Sequence, residues 1–197
     1  DGDNAISKRM IYGGAAFRTE KLLSKTVVVT LGVGVFEALA EDATRNGMVT
    51  EITDVPASKI KRVESHEKNE AVVNLATAKR LVDVGRGFAK EEDLELGRKV
   101  ASLIGADVGC SRPVAEGNGW MPKSSYIGVT GVIIKPELCF MMGISGQVQH
   151  LVGINQSKTV VAINKDKNAP IFKHVDFGVV GDMYKILPRL IERLSAI

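Results

Sequence analysis

Two cysteines, one tryptophan and six prolines in 197 residues set the first limits on this chain. Cys110 and Cys139 stand far apart in apolar company with no CxxC pair. That excludes a disulfide-stapled framework and a thiolate zinc site, and both read as reduced core residues of a cytosolic protein. His66, His150 and His174 show no metal-ligand spacing, so no metal is expected. Aromatics are only 5% of the residues against 20 glycines, which leaves Val, Ile, Leu and Ala to build the core and favours a parallel α/β sheet over an all-β sandwich. No apolar run approaches the roughly 20 residues of a membrane span. The opening DGDNAISKR has no apolar stretch of the secretory kind. A soluble, non-exported chain without membrane insertion is expected, in the cytoplasm or, in a eukaryote, the mitochondrial matrix. Charge of one sign is also lacking: 26 basic and 23 acidic residues interleave to a net +3. The one basic cluster, Lys59-Ile60-Lys61-Arg62, is short and without aromatics, so it reads as a solvated loop and not as a nucleic-acid surface.

The length suits one good core, or one domain plus a fragment. Residues 1–64 hold two β-branched runs, KTVVVTLGVG and MVTEITDVP, joined by polar and Gly-bearing segments. Residues 65–78 are a charged connector, and from 79 to 197 strand and helix patterns alternate. KRLVDVG is a strand; KEEDLELGRKVASLIG repeats Leu94, Leu96, Val100 and Leu103 at helical spacing, acids early and bases late as the helix dipole prefers. ADVGCS, ELCFMMGI and SKTVVAIN follow as strands, and VGDMYKILPRLIERLSAI as a closing amphipathic helix interrupted by Pro188. The alternation predicts a doubly wound parallel sheet. TVVVTLGVGVFEAL imitates a strand, a Gly-x-Gly turn and a helix of the dinucleotide fingerprint, with Gly32 and Gly34 in place. Glu37 sits where the last glycine belongs, a bulky acid opposed to pyrophosphate, so a plain strand and Gly-rich turn is the better reading.

The stretch from Gly143 to Asp166 concentrates the chemistry. Ser145-Gly146 follows an apolar strand where a helix would begin, which makes Ser145 a natural N-cap and leaves the N–H groups of Gly146, Gln147 and Val148 free for a phosphate. Gln149 and His150 fall within the first turn and a half. Asn164-Lys165-Asp166 end the next strand, where ligands are usually received. The same pattern also describes an ordinary capped helix and a surface loop, and the residues alone leave both readings open.

Six motifs in order, VGRG at 84–87, GCSRP at 109–113, IGVTG at 127–131, GISGQVQH at 143–150, AINKDKNAPIF at 162–172 and DFGVVGDMYKILP at 176–188, resemble the C-terminal FAD domain of the electron transfer flavoprotein alpha subunit, including its anaerobic-reductase and nitrogen-fixation variants. The resemblance implies a doubly wound FAD-binding domain of the deoxyhypusine-synthase-like type. Residues 1–64 are similar to the last strands of that subunit's N-terminal domain, and are expected to be displaced onto the FAD domain, completed by a partner chain, or left by truncation.

By that resemblance Arg86 and Ser111 would meet the phosphate and the polar groups at the flavin end, and Arg112 would lie over the ring, where a guanidinium that keeps its proton can face negative charge. Thr130 would offer its hydroxyl to the flavin N5, with Gly128 and Gly131 letting the backbone approach the ring and Ile127 and Val129 beside them at the cofactor. Val129 replaces the Gln common in the family and removes an amide from the ring. His150 would reach the C2 carbonyl region, where its charge can couple to reduction. Ser145, Gly146 and Gln149, with the backbone of Gln147 and Val148, would hold the pyrophosphate and ribityl groups. Asn164 and Lys165 would take the adenosine side, and Asp182 with Met183 its ribose. No nucleophile with its base and no pair of carboxylates stands out, so the chemistry would be the cofactor's. The implied role is a non-catalytic electron carrier, a heterodimer with a beta subunit, exchanging single electrons with an acyl-CoA dehydrogenase or reductase or a quinone-linked partner. The competing readings are an NAD-dependent transferase or deacylase of similar fold, and a structural subunit stabilised by nucleotide.

Overall fold

The computed structural model describes residues 4–32, 35–37, 39–54, 56, 58–65 and 74–197. The chain divides into two units, one of residues 1–35 with 73–197 and another of residues 36–72. The smaller unit holds no helix or strand among its described residues. A turn at Asp42 orders part of it, the carboxylate accepting from the Thr44 N–H and hydroxyl.

The larger unit opens with an antiparallel hairpin of β1 (Ala5–Ile11) and β2 (Ala16–Leu22), in register from Ala5 opposite Leu22 to Ile11 opposite Ala16. Its turn, Tyr12-Gly13-Gly14, carries positive φ throughout and packs Gly14 against Val152. The run from Lys25 to Leu31, expected as a strand, forms no ladder. β-branched residues favour extended backbone, but a strand needs a neighbour to bond to. Gly34 of the false fingerprint, His66 and most of the connector lie outside the described residues.

From Arg80 onward the alternation follows the expected order: β3 (Arg80–Val84), α1 (Leu94–Ile104), β4 (Asp107–Cys110), β5 (Leu138–Met142), α2 (Val148–Ile154), β6 (Thr159–Asn164), β7 (Phe177–Val180) and α3 (Met183–Leu194). The sheet is parallel, in the order β4-β3-β5-β6-β7. Chain progress turns away on either side of the β3/β5 pair, and such a switch opens a crevice beyond the strands' C-terminal ends.

Alternation along the strands sends Val82, Val84, Phe140 and Met142 to one face, where Leu94, Val100, Met183 and Leu187 of α1 and α3 bury with them. Leu81, Cys139 and Met141 point to the other, under Leu151 and Ile154 of α2. Both cysteines are free and buried, as read from their surroundings. Gly105, left-handed at φ 61, ends α1 and donates to the carbonyls of Ala101 and Ser102. Pro188 does not interrupt α3, which runs through it. The missing N–H is outweighed by the anchoring of Met183 and of Leu187, whose exposure is zero. β7 was not foreseen as a strand; its FGVV sits exposed at the sheet edge.

Candidate functional site

A cavity of about 920 Å³ lies at the C-terminal edge of the sheet. Six separated segments line it: Arg86-Gly87 after β3, Ser111 to Pro113 after β4, Tyr126 to Thr130, Gly143 to His150 without Gly146, Ile163 to Lys165 at the end of β6, and Gly181 to Tyr184 leading into α3. Arg86, Ser111, Arg112, Ile127, Gly128, Val129, Thr130, Ser145, Gln147, Val148, Gln149, His150, Asn164, Lys165, Asp182 and Met183, all singled out from the sequence, meet on this wall.

Gly146 does not reach it. Its φ of +89 turns the chain beneath the wall, and a Cβ there would stand 2.6 Å from Ile171 Cα. The neighbouring Ser145 carbonyl accepts from the Ile171 N–H at 3.0 Å, fixing this turn to the 170–173 segment. The helix begins later than expected: Gln147, and not Ser145, is the N-cap of α2, and no side chain caps it. The free N–H groups of its first turn are therefore those of Val148 and Gln149, since His150 already donates to the Gln147 carbonyl at 2.9 Å.

Several expected residues have protein partners that define what they can offer. Asn164 Nδ2 donates to the Ile144 carbonyl at 2.8 Å and its Oδ1 accepts from the Asp166 N–H at 2.9 Å. Its amide thus ties the loops after β5 and β6 together. Asp182 caps α3, one oxygen accepting from the Tyr184 N–H at 3.0 Å. A carboxylate has further acceptor sites, so the cap leaves it capacity. Arg112 pairs with Glu116 one helical turn on, both partly exposed. The hydrogen bond and then the charge of Glu116 raise the guanidinium pKa further, while Glu116 is held below the usual carboxylate range by its bond to Arg112.

Three residues were missed by sequence reasoning. Tyr126 sits on the wall, its hydroxyl 2.6 Å from the Thr130 carbonyl and 2.9 Å from the Thr130 Oγ1. It lies one position before IGVTG, and only its aromatic type set it apart. Tyr184, also on the wall, donates to Asp93 at 2.7 Å and accepts from the Ala89 N–H at 2.7 Å. Asp83, fully buried in the middle of β3, meets His150 Nε2 at 2.6 Å. An acid within the apolar run LVDV was its signal.

Among the described residues the wall carries Arg86, Arg112 and Lys165 against one carboxylate, Asp182. The Ser111 hydroxyl is buried without a protein partner, an orphan that a ligand in the cavity would satisfy. A large cleft at a sheet switch point, cationic and with an orphaned hydroxyl, defines an α/β domain built to hold an anionic nucleotide cofactor.

Comparison with known proteins points to a family. Residues 74–155 match the electron transfer flavoprotein FAD-binding domain, which this part of the chain resembles. YdiR of Escherichia coli (strain K12), named provisionally as an electron transfer flavoprotein subunit, is 47% identical over 99% of this chain and 62% of its own length. Protein FixB of Salmonella typhi is 45% identical over the same shares, and protein FixB of Escherichia coli O139:H28 is 44% identical over 97% of this chain and 61% of its own. The chain thus spans less than two thirds of these curated relatives. FAD is the cofactor of the matched domain family. Among the described residues no helix is long and apolar enough to cross a membrane, and no cluster of metal-ligating side chains is found.

Proposed function

We propose that this chain is an electron-carrier subunit of the cytoplasm that holds FAD in the cavity and is completed by a beta-type partner subunit. The observation that carries the reading is the meeting of six sequence-distant segments on one cavity with three fixed cations and an unpartnered buried hydroxyl. Bound FAD supplies reversible electron uptake, which no side chain here can supply. Arg86, Lys165 and the first-turn N–H groups of α2 would hold the pyrophosphate. Asp182, with Met183 beneath it, would hold a sugar hydroxyl, and Ser111, Gln149 and the loop through Ser145 would orient the chain between them. Asn164 keeps two of these loops in register. Arg112 and His150 would place positive charge beside the ring, and Thr130, oriented by Tyr126, a hydroxyl. Electron donor and acceptor are then protein partners, of the acyl-CoA dehydrogenase, acyl-CoA reductase or quinone-linked kind, and the chain itself catalyses no substrate reaction.

The test is titration of the chain with FAD, alone and with a candidate beta subunit, followed by visible absorption and fluorescence anisotropy. Saturable binding at one FAD per chain supports the reading. The simultaneous Ala variant of Arg112, Thr130 and His150 should then retain part of the affinity while shifting the potential. No binding in either mixture would refute it and favour an NAD-dependent reaction, tested by the same titration with NAD.

A further inference from the structure

A strand buried on both faces gains nothing in packing from an acid, yet Asp83 stands at the fourth position of β3, between Val82 and Val84, with zero exposure. It pairs in register with Gly109 of β4 and Met141 of β5. Alternation aims its side chain at the layer that holds α2. An unpaired carboxylate in such a place costs several kcal/mol. Its Oδ2 meets His150 Nε2 at 2.6 Å, and its Oδ1 is buried without a partner. The pair therefore rests on one short bond, strongest when charge assists it.

We propose that Asp83 is a positioning residue, holding His150 as a cation with its Nδ1 side toward the cavity. His150 lines the cavity and Asp83 does not. The arrangement is a buried dipole of zero net charge, positive end at the wall, negative end in the sheet. It favours negative charge in the cavity without adding a net charge to the core. Tautomer logic strengthens the assignment. With Nε2–H directed at the carboxylate, Nδ1 can also donate, to the Ile127 backbone or to a ligand at the wall, only if the ring is an imidazolium. Asp83 thereby decides whether the wall presents a donor or an acceptor, as carboxylates placed behind a ligand-facing histidine commonly do.

The neighbouring titratable groups do not compete for the proton. The Cys110 and Cys139 thiols, on the two strands flanking Asp83, are pushed up by burial and next by the Asp83 charge, Cys110 to about 12, and stay neutral. On the cavity side the charged residues are Arg86, Arg112, Lys165 and Asp182, with Tyr126 and Tyr184 also on the wall. For His150 itself burial pulls the pKa down; the Asp83 charge, the Asp83 hydrogen bond and the Ile127 backbone outweigh it, and the net direction is up.

The experiment compares wild type with Asp83→Asn by ¹⁵N NMR of the His150 ring in the cofactor-free chain. The expected result is an imidazolium titrating above the ordinary value of about 6.5 in wild type and below it in the variant, where burial, the largest effect, is opposed only by the Ile127 backbone. An unchanged titration overturns the proposal. The second arm rests on the FAD reading: in the loaded protein, Asp83→Asn should cost about tenfold in preference for the reduced over the oxidised cofactor, the equivalent of one pK unit. His150→Gln should do the same, and the double variant no more. A gain in that preference would mean that His150 keeps its proton without Asp83, and would overturn the assignment. Should Asp83→Asn fail to fold, Asp83→Ser, which removes the charge and the volume together, takes its place in both arms. Failure of wild type to bind FAD would sink the proposed function alone, since the NMR arm needs no cofactor.

Discussion

Replacing Gly146 by Ala tests whether the floor of the cavity is built as described. At φ +89 an L-residue is strained by roughly 1–2 kcal/mol. The added Cβ would also stand 2.6 Å from Ile171 Cα, backbone that cannot rotate aside. Relief requires the 170–173 segment to withdraw, which breaks the 3.0 Å bond from the Ile171 N–H to the Ser145 carbonyl, worth about 1 kcal/mol. The total loss is about 2–3 kcal/mol. Gly119 supplies the control: its φ is +70, but nothing lies within 4 Å of its Cβ position. Gly119→Ala should therefore show the strain alone. Urea denaturation of the two variants reads the difference, and each kcal/mol corresponds to about 2–4 °C in thermal melting at this size. FAD affinity should fall in Gly146→Ala, because Ser145 and Gln147 on either side line the cavity. Equal stability of the two variants, or unchanged affinity in Gly146→Ala, would refute the claim that this turn is wedged against Ile171.

Tyr126→Phe removes the bonds to Thr130 and should cost about 1 kcal/mol in urea denaturation, with a shift in the potential of bound FAD that a purely structural tyrosine would not cause. Glu116→Gln should leave the unfolding midpoint unchanged, since its pair with Arg112 is at the surface, while Arg112→Ala weakens FAD binding. The raised His150 pKa makes stability fall with pH. Folded protein binds the extra proton, so the stabilisation is complete below the ordinary value of about 6.5 and is lost as pH rises through the higher folded-state value. Unfolding free energies measured across neutral to alkaline pH should show that decline in wild type and not in His150→Gln.

Strands β3 to β6 and helix α1 were legible because each is an uninterrupted run bounded by glycine or charge, and α3 because its apolar spacing carries across Pro188; a parallel sheet covered on both faces demands such runs. The lysine-to-leucine stretch at 25–31 has the same local character and forms no ladder. β-propensity describes a residue's fit to a pleated surface, and the surface has to be supplied by other strands. β7 failed in the opposite sense, four residues with little local signal that become a strand because β6 offers them an edge. Helix α3 overrides Pro188 for a related reason, its buried face fixing what its backbone alone would not.

The site divides along the same line. Residues that face the cavity were readable because their segments end strands, and strand ends in a switched sheet converge whatever their spacing in the chain. Asp83 was not readable as part of the site, since it lies inside a strand and acts through a helix 67 residues later. What makes it informative is cost. An exposed acid can be there for many reasons, whereas a carboxylate with zero exposure and one bonded oxygen must be offset by its partner or the strand is destabilised. The offset is greatest when His150 is charged, so the same interaction that keeps β3 folded also sets the sign of the cavity wall. Stability and cofactor preference are then coupled through one proton. A variant such as Asp83→Asn removes the charge that offsets the burial of His150, so a loss of stability is expected beside the loss of the wall's positive end, and the change in cofactor preference, which a merely structural acid would not cause, is what distinguishes a positioning acid.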